Sequence, residues 1–141
     1  MIKKQKDWIV ILGGSSGIGK ASAKKFALNG YNLIIIHRDR GESLKKTQEF
    51  FKLLKTFNVD VISINGNLIE SSLKLKFLNL LKSNQLKGKI KLMLHSIAMG
   101  NLGSVLGEHN KEFLRQEDFH LTLEAMCLSF LEYGRELLNG G

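Results

Sequence analysis

Short runs of consecutive apolar residues alternate along the chain with longer segments in which apolar residues recur every three or four positions. The runs have the length of β-strands, and the recurring segments have the period of α-helices that are packed on one face. Within the second run, residues 33–36 are all apolar, which is typical of a parallel strand covered on both faces. The predicted strands are residues 7–12, 31–37, 59–64 and 90–96.

Helical spacing identifies four further segments. The first follows a glycine-rich stretch and ends at Asn29-Gly30, a pair typical of a helix C-terminus. The second helix is predicted over residues 42–57, and the third ends near residues 85–86. Residues 100–115 have no clean period and are predicted to form a loop. The last helix is predicted from one apolar face, which consists of Leu123, Met126, Cys127, Phe130, Gly134, Leu137 and Leu138.

Strict alternation of strands and helices predicts one domain over residues 1–141. Right-handed crossovers place helices on both faces of an open parallel sheet. We therefore expect an α/β protein with a doubly wound, Rossmann-type parallel sheet of four βα units. A chain of 141 residues buries enough surface to fold without a metal ion or a disulfide bond.

Basic residues are concentrated in the first part of the chain. Residues 1–100 contain 18 Lys or Arg and 6 Asp or Glu, whereas residues 101–141 contain 3 and 7. This gradient favours an anionic ligand near the first part, either a phosphorylated small molecule or nucleic acid. Aromatic residues interleaved with arginine, which are usual in RNA-binding modules, are missing from the sequence, so nucleic acid is the less favoured partner.

The sequence predicts a cytoplasmic protein without membrane contact. No apolar run approaches the length of about 18 residues that a membrane span requires. The run at residues 8–12, which follows a basic amino terminus, is too short for a secretory signal. The lone Cys127 cannot form an internal disulfide, which favours a reducing compartment.

A glycine-rich loop lies between the first predicted strand and the first predicted helix. Gly13 permits a tight turn, Gly17 permits close approach to a pyrophosphate, and Gly19 permits the helix to pack on the strand. The amide groups of the helix N-terminus can donate to phosphate. An ordinary structural turn is the alternative. The loop residues expected to bind a dinucleotide are Gly13, Ser15, Ser16, Gly17, Ile18 and Gly19.

The spacing G-x-x-x-G-x-G in this loop resembles that of the short-chain dehydrogenase/reductase family. The family usually has threonine before the first glycine, where this chain has Leu12. The resemblance extends over essentially the whole chain and covers the first four βα units of the family. It implies an NAD(P)-binding domain of an oxidoreductase.

A second motif is similar to the enoyl-acyl-carrier-protein reductase branch of that family, which acts in fatty acid synthesis. His95-Ser96-Ile97-Ala98 stands where most members have Asn-Asn-Ala-Gly, and a Cys-Leu-Ser-Phe run occupies residues 127–130. The regular glycine loop argues against this branch, because its best-known members have a longer loop. Ser96, Ile97 and Ala98 are expected to line the adenosine ribose and the route to the nicotinamide. His95 is interpreted as a packed strand-end residue.

Charges after the second strand favour NADP(H) over NAD(H). An NAD site places a carboxylate there for the ribose 2′-hydroxyl, whereas Arg38 presents a fixed cation that suits a 2′-phosphate. In the alternative interpretation, Arg38 and Arg40 pair with Asp39 and Glu42 on a solvated turn. After the third strand, Asn67 and Leu68 are expected to contact the adenine ring.

The resemblance also implies a Tyr-x-x-x-Lys pair that this sequence lacks. Its tyrosines are Tyr31 and Tyr133, and no lysine follows Lys111. We expect the chain to correspond to the amino-terminal half of such an enzyme and to be inactive alone. A non-catalytic nucleotide-binding or interaction module remains the alternative. Self-association is expected through an apolar face of the last helix that consists of Met126, Phe130, Leu137 and Leu138.

Overall fold

Strands and helices alternate through a computed structural model that describes residues 5–106 and 113–139. The strand limits differ from the predicted ones by no more than two residues. The strands are β1 (Trp8–Leu12), β2 (Asn32–His37), β3 (Val61–Asn65) and β4 (Ile90–His95). The helices are α1 (Gly17–Leu28), α2 (Gly41–Lys55), α3 (Ser71–Leu81), α4 (Gln116–Leu123), a π-helical segment (Glu124–Leu128) and α5 (Ser129–Asn139).

The four strands form one parallel sheet in the order β3-β2-β1-β4. Strand β1 pairs with β2 through Val10 and Ile34, and with β4 through Val10 and Met93. The chain starts in the middle of the sheet, extends to one edge and then crosses back to the other side of β1. This is the doubly wound order of a mononucleotide-binding unit, and it confirms the predicted fold class.

Both faces of the central strands are covered. All five residues of β1 and all six of β2 are buried, because their side chains point alternately to two apolar clusters. One cluster joins Ile11 and Ile35 to α1 and α2, and the other joins Val10 and Ile34 to α3 and α5. The consecutive apolar residues of β2 are thereby explained.

Helix α3 is shorter than predicted. It ends at Leu81, where Lys82 caps it, and does not continue to residues 85–86. The hydroxyl of Ser83 donates a hydrogen bond to the carbonyl oxygen of Leu80, at 2.7 Å. A side chain thus satisfies a carbonyl of the last turn, as is common where serine ends a helix.

The predicted loop at residues 100–115 is only partly described, because residues 107–112, including Lys111, lie outside the described residues. Its described parts are irregular and include an isolated bridge between Ser104 and Phe113. Helix α4 begins directly afterwards, where the backbone N–H of Arg115 donates to Asp118 Oδ2 at 2.8 Å. The last helical region therefore starts well before the predicted apolar face.

The predicted single face of the last helix is wrong in one respect. The π-helical segment interrupts the regular period, and the buried residues after it are Ser129 and Tyr133. Met126 and Phe130 remain 45% and 49% exposed. Within the described residues, no helix is long and apolar enough to cross a bilayer.

Candidate functional site

A cleft of about 480 Å³ lies at the carboxyl ends of the parallel strands. Ligands of open α/β sheets bind at this edge, where neighbouring crossovers leave in opposite directions. Every residue predicted for the site lines the cleft except Gly19. The predicted residues brought together there are Gly13, Ser15, Ser16, Gly17, Ile18, Arg38, Asn67, Leu68, Ser96, Ile97 and Ala98.

The glycine loop is held by close backbone packing. Gly13 has a φ of +87°, its N–H donates to the carbonyl oxygen of Ile36 at 2.8 Å, and a Cβ at this position would overlap the carbonyl of Ser96. Gly19 is buried, and a Cβ there would overlap the carbonyl of Gly13. Gly19 thus shapes the loop from behind, which explains why it does not line the cleft.

The N-terminus of α1 opens into the cleft with free donor groups. Ser16 is the N-cap residue in an extended conformation, and its side chain makes no capping hydrogen bond. The first turn contains no acidic residue. Because the first N–H groups of a helix have no partner within it and carry partial positive charge, this end of α1 favours an anion.

Arg38 follows β2 and is exposed at the mouth of the cleft. It also lines an adjoining polar pocket of about 290 Å³ with Asp39, Arg40 and Glu70. Among the described residues, neither arginine forms an ion pair within 4.0 Å, so the alternative pairing with Asp39 and Glu42 is not formed. Asp39 instead contacts His37 Nδ1 through Oδ2, at 2.7 Å.

Asn67 brings an unsatisfied acceptor to the cleft. Its Oδ1 atom is buried and has no hydrogen-bond partner within the described structure. An unpaired buried acceptor costs about 1–3 kcal/mol unless a ligand or water donates to it. The next residue, Leu68, is 4% exposed and adds an apolar wall.

Tyr133 of α5 supports this wall from the apolar cluster in which Leu68 is also buried. Its hydroxyl donates to the carbonyl oxygen of Leu68 at 2.8 Å, and its ring packs against Phe77. Burial raises the pKa of Tyr133 above its usual range, with a smaller contribution from the negative charge of Glu132. Sequence reasoning missed this contact, because 65 residues separate the two partners.

The residues that directly follow β4 complete the cleft, whereas His95, the last residue of β4, lies outside its lining. Ser96 N–H donates to the carbonyl of Leu12 at 2.8 Å, which extends the β1–β4 pairing to the edge of the loop. His95 Nε2 contacts Ser129 Oγ at 2.8 Å, and Ser129 Oγ donates to the carbonyl of Ala125. Burial lowers the pKa of His95. As predicted, His95 is a packed strand-end residue.

Four lining residues were not predicted: Ile36, His37, Gly66 and Met99. His37, Gly66 and Met99 each lie next to a predicted residue in the sequence, and Ile36 precedes His37 at the end of β2. Position alone could have predicted these four residues, because residues at the carboxyl ends of neighbouring parallel strands lie near the same cleft.

The fold and the cleft define a Rossmann-type domain, and solved structures of short-chain dehydrogenases/reductases share this fold with the chain. No family model matches the sequence. The chain is similar to L-sorbose reductase from Gluconobacter frateurii, solved with NADPH and L-sorbose, at a TM-score of 0.78 and 20% identity. The match covers 96% of this chain and 48% of that one.

Two further solved structures match the chain to a similar extent. A short-chain dehydrogenase from Sphingobium yanoikuyae, in complex with NADPH, matches at a TM-score of 0.72 and 18% identity, over 93% of this chain and 46% of that one. A glucose/ribitol dehydrogenase of the short-chain dehydrogenase/reductase type from Brucella melitensis matches at 0.75 and 18%, over 96% and 50%. The chain spans about half the length of the structures it matches.

Proposed function

We propose that the chain is the NAD(P)H-binding portion of an oxidoreductase of the short-chain dehydrogenase/reductase type. The observation that carries this proposal is the single cleft in which the glycine loop, the N-terminus of α1 and the unpaired Oδ1 of Asn67 meet. The similar structures from Gluconobacter frateurii and Sphingobium yanoikuyae, which were solved with NADPH, support it.

The residues of the cleft match the chemical groups of a dinucleotide. The glycine loop and the first turn of α1 would hold the pyrophosphate, and Asn67 Oδ1 would accept a hydrogen bond from the adenine amino group. Leu68 would pack on the adenine ring, and the backbone of residues 96–98 would line the adenosine ribose and the route to the nicotinamide. When bound, the cofactor supplies or accepts a hydride.

NADP(H) is the favoured cofactor. Arg38 has no ion-pair partner among the described residues and lines both the cleft and the adjoining polar pocket. A guanidinium group in this place offers forked donors to a 2′-phosphate. The two similar structures with NADPH are consistent with this preference.

Titration of the full chain with NADPH and NADH, followed by ligand fluorescence, tests the binding function. We expect saturable binding of both and tighter binding of NADPH. Arg38→Ala should weaken NADPH binding by about 10- to 150-fold, since a hydrogen-bonded charge contact contributes roughly 1.5–3 kcal/mol. Arg135→Ala on α5 removes an exposed arginine away from the cleft and serves as the matched control. Absence of saturable binding of either dinucleotide would refute the proposal.

We propose that these 141 residues bind the cofactor without completing the reaction. The hydroxyl of Tyr133 is occupied by Leu68, and Tyr31 packs edge-on against Phe26 in the core, so neither is placed to deliver a proton at the cleft. The His95-Ser96-Ile97-Ala98 motif favours an enoyl-reductase-like parent. The chain alone should not oxidise NADPH with an enoyl thioester, and a rate above the protein-free background would contradict this.

The last helical region has exposed apolar residues, which favour self-association. The same exposed surface would serve the alternative function, an interaction module. Met126, Phe130 and Leu138 are 45%, 49% and 84% exposed. Phe130→Glu should shift the chain toward monomer in sedimentation at micromolar concentration, whereas Leu75→Glu on α3, at a residue that is 59% exposed, should not. A wild-type chain that sediments as a stable monomer would refute self-association.

A cytoplasmic location and a single structural unit over residues 1–141 complete the proposal. Cys127 is an exposed free thiol, which is compatible with a reducing compartment. The two apolar clusters share the strands of one sheet, which favours cooperative unfolding in one transition. Two resolved transitions in urea would contradict a single unit.

A further inference from the structure

The carboxylate of Asp39, directly beside Arg38, bears on whether the cleft prefers NADP(H) or NAD(H). Asp39 follows Arg38 in the chain, and the two residues line the same polar pocket. A free carboxylate at this place would repel a 2′-phosphate and would accept a hydrogen bond from a ribose 2′-hydroxyl. The local geometry of Asp39 therefore decides which dinucleotide the cleft favours.

The Asp39 side chain is held by His37. Asp39 Oδ2 lies 2.7 Å from His37 Nδ1, and the side chains are 13% and 2% exposed. The imidazole is itself fixed, because it is the last residue of β2 and stands edge-on to Phe51, with ring centroids 5.2 Å apart. The carboxylate is thus bonded to the end of the sheet.

Asn65 fixes the backbone of the same residue. The N–H of Asp39 donates to Asn65 Oδ1, and Asn65 Nδ2 donates to the carbonyl oxygen of Asp39, both at 3.0 Å. Asn65 is the last residue of β3, so two neighbouring strand ends hold the residue on the carboxyl side of Arg38. A reciprocal pair of this kind leaves the backbone at Asp39 little freedom to rotate.

Further polar groups stabilise the charge of Asp39. Burial alone raises the pKa of this carboxyl, but hydrogen bonding from Ser15, His37 and Ser43 outweighs burial and holds the pKa below its usual value.

We propose that His37 and Asn65 are positioning residues that keep the Asp39 side chain and backbone engaged in hydrogen bonds within the protein, and leave Arg38 as the group that meets a bound 2′-phosphate. This inference rests on the proposed dinucleotide binding and adds to it the determinant of NADP(H) selectivity. The preference for NADP(H) over NAD(H) then depends on the hydrogen bonds that His37 and Asn65 make to Asp39 as much as on Arg38.

Two small probes test this with the full chain. Adenosine 2′,5′-bisphosphate carries the 2′-phosphate, and 5′-AMP lacks it, so the ratio of their dissociation constants measures selectivity alone. We expect the wild type to prefer the bisphosphate. His37→Phe should lower this preference by about tenfold, because the released carboxylate then opposes the phosphate at short range.

A double variant separates this mechanism from a general disturbance of the fold. In His37→Phe/Asp39→Asn the preference should return to within about twofold of wild type, because no charge remains to oppose the phosphate. An equal loss of preference in the single and double variants would overturn the inference. So would an increase of about tenfold or more in Asp39→Asn alone, because the wild-type carboxylate would then already oppose the phosphate.

Asn65 offers a variant that does not disturb the core. Asn65 is exposed, and Asn65→Ala should lower the preference by about threefold while thermal unfolding changes little. His95→Phe, at the strand end of β4 and outside the cleft lining, is the matched histidine control and should leave the ratio unchanged. An unchanged ratio in folded Asn65→Ala would overturn the role of Asn65. Failure of the wild type to bind either probe would refute the proposed function itself.

Discussion

Strands β1 and β4 are hydrogen-bonded neighbours with similar apolar sequences, yet their side chains lie in different surroundings. Every residue of β1 is at most 2% exposed, whereas Leu92 of β4 is 42% exposed. The cause is position: β1 has a strand on each side and apolar clusters on both faces, whereas β4 pairs with β1 alone among the described residues. The cleft thus rests on a fully buried centre at β1 and β2 and on a less covered boundary at β4.

The largest expected effect comes from truncating paired residues of these two strands. Ile9 and Leu92 are register partners, 2% and 42% exposed. Ile9→Ala should lower the free energy of unfolding by about 3 kcal/mol, because a buried cavity forms, whereas Leu92→Ala should cost about 1 kcal/mol or less. Urea unfolding of both variants measures the difference. Equal losses would show that β4 is as well packed as β1.

The next largest effect is expected at Gly13, where the loop after β1 contacts the end of β4 in the cleft. A side chain on Gly13 would overlap the Ser96 carbonyl, which belongs to the β4 end. Gly13→Val should lower stability by about 2 kcal/mol and abolish detectable NADPH binding, because the loop must move and its φ of +87° disfavours valine. Fluorescence titration and urea unfolding check both parts. Retained affinity would mean that the loop does not contact the cofactor.

Tyr133 joins α5 to Leu68 in the cleft wall, on the face of the sheet where both residues are buried. Tyr133→Phe removes the donor to the Leu68 carbonyl and should cost about 1.5 kcal/mol. The raised pKa of Tyr133 also predicts a pH effect: the hydroxyl ionises more readily in the unfolded chain, so its contribution to stability falls as pH rises above about 10.

Comparison of wild type with Tyr133→Phe isolates that alkaline loss. Urea midpoints at neutral and alkaline pH should converge for the two proteins as the pH rises, because only the wild type has this hydroxyl to ionise. Parallel curves over the same pH range would contradict the buried donor role.

The smallest expected effect comes from replacing two glycines, one inside the cleft and one outside it, which separates a loss of binding from a loss of stability. Gly17 and Gly30 both have positive φ, of +50° and +83°, and an added Cβ at either would meet nothing within 4 Å. Each substitution by alanine should cost about 1 kcal/mol of stability. Gly17→Ala should also weaken NADPH binding, since only Gly17 lines the cleft. Equal affinities for the two variants would place the pyrophosphate away from Gly17.

The sheet and most of the cleft could be predicted from the sequence, because their signals are local. Consecutive apolar residues mark buried parallel strands, and glycines between a strand and a helix mark a phosphate loop. The contacts of Asp39 could not be predicted, since charge alone favoured Arg38 and Arg40, which flank it in the chain, as its partners. Only the ends of β2 and β3, which bring His37 and Asn65 to it, decide the outcome.

The predicted apolar face of the last helix already fails at the start of the π-helical segment Glu124–Leu128, because Leu123 before it is 55% exposed and Ala125 within it is buried. An α-helix turns by about 100° per residue, so one extra residue within a turn shifts the phase of everything after it. A single α-helical period therefore does not hold over residues 123–138. The buried positions after the segment are Ser129 and Tyr133, outside the predicted apolar face.

The same segment sets a rotational register between the two ends of the helical region. Ser129 N–H bonds to the carbonyl of Glu124, five residues back, and this wider turn aims Ser129 at His95 and Tyr133 at Leu68. Removal of one residue from the turn would restore a regular α-helix and rotate the rest of α5 by about 100°. The extra residue in this turn thus sets the rotation of α5 at which the side chains of Ser129 and Tyr133 face His95 and Leu68.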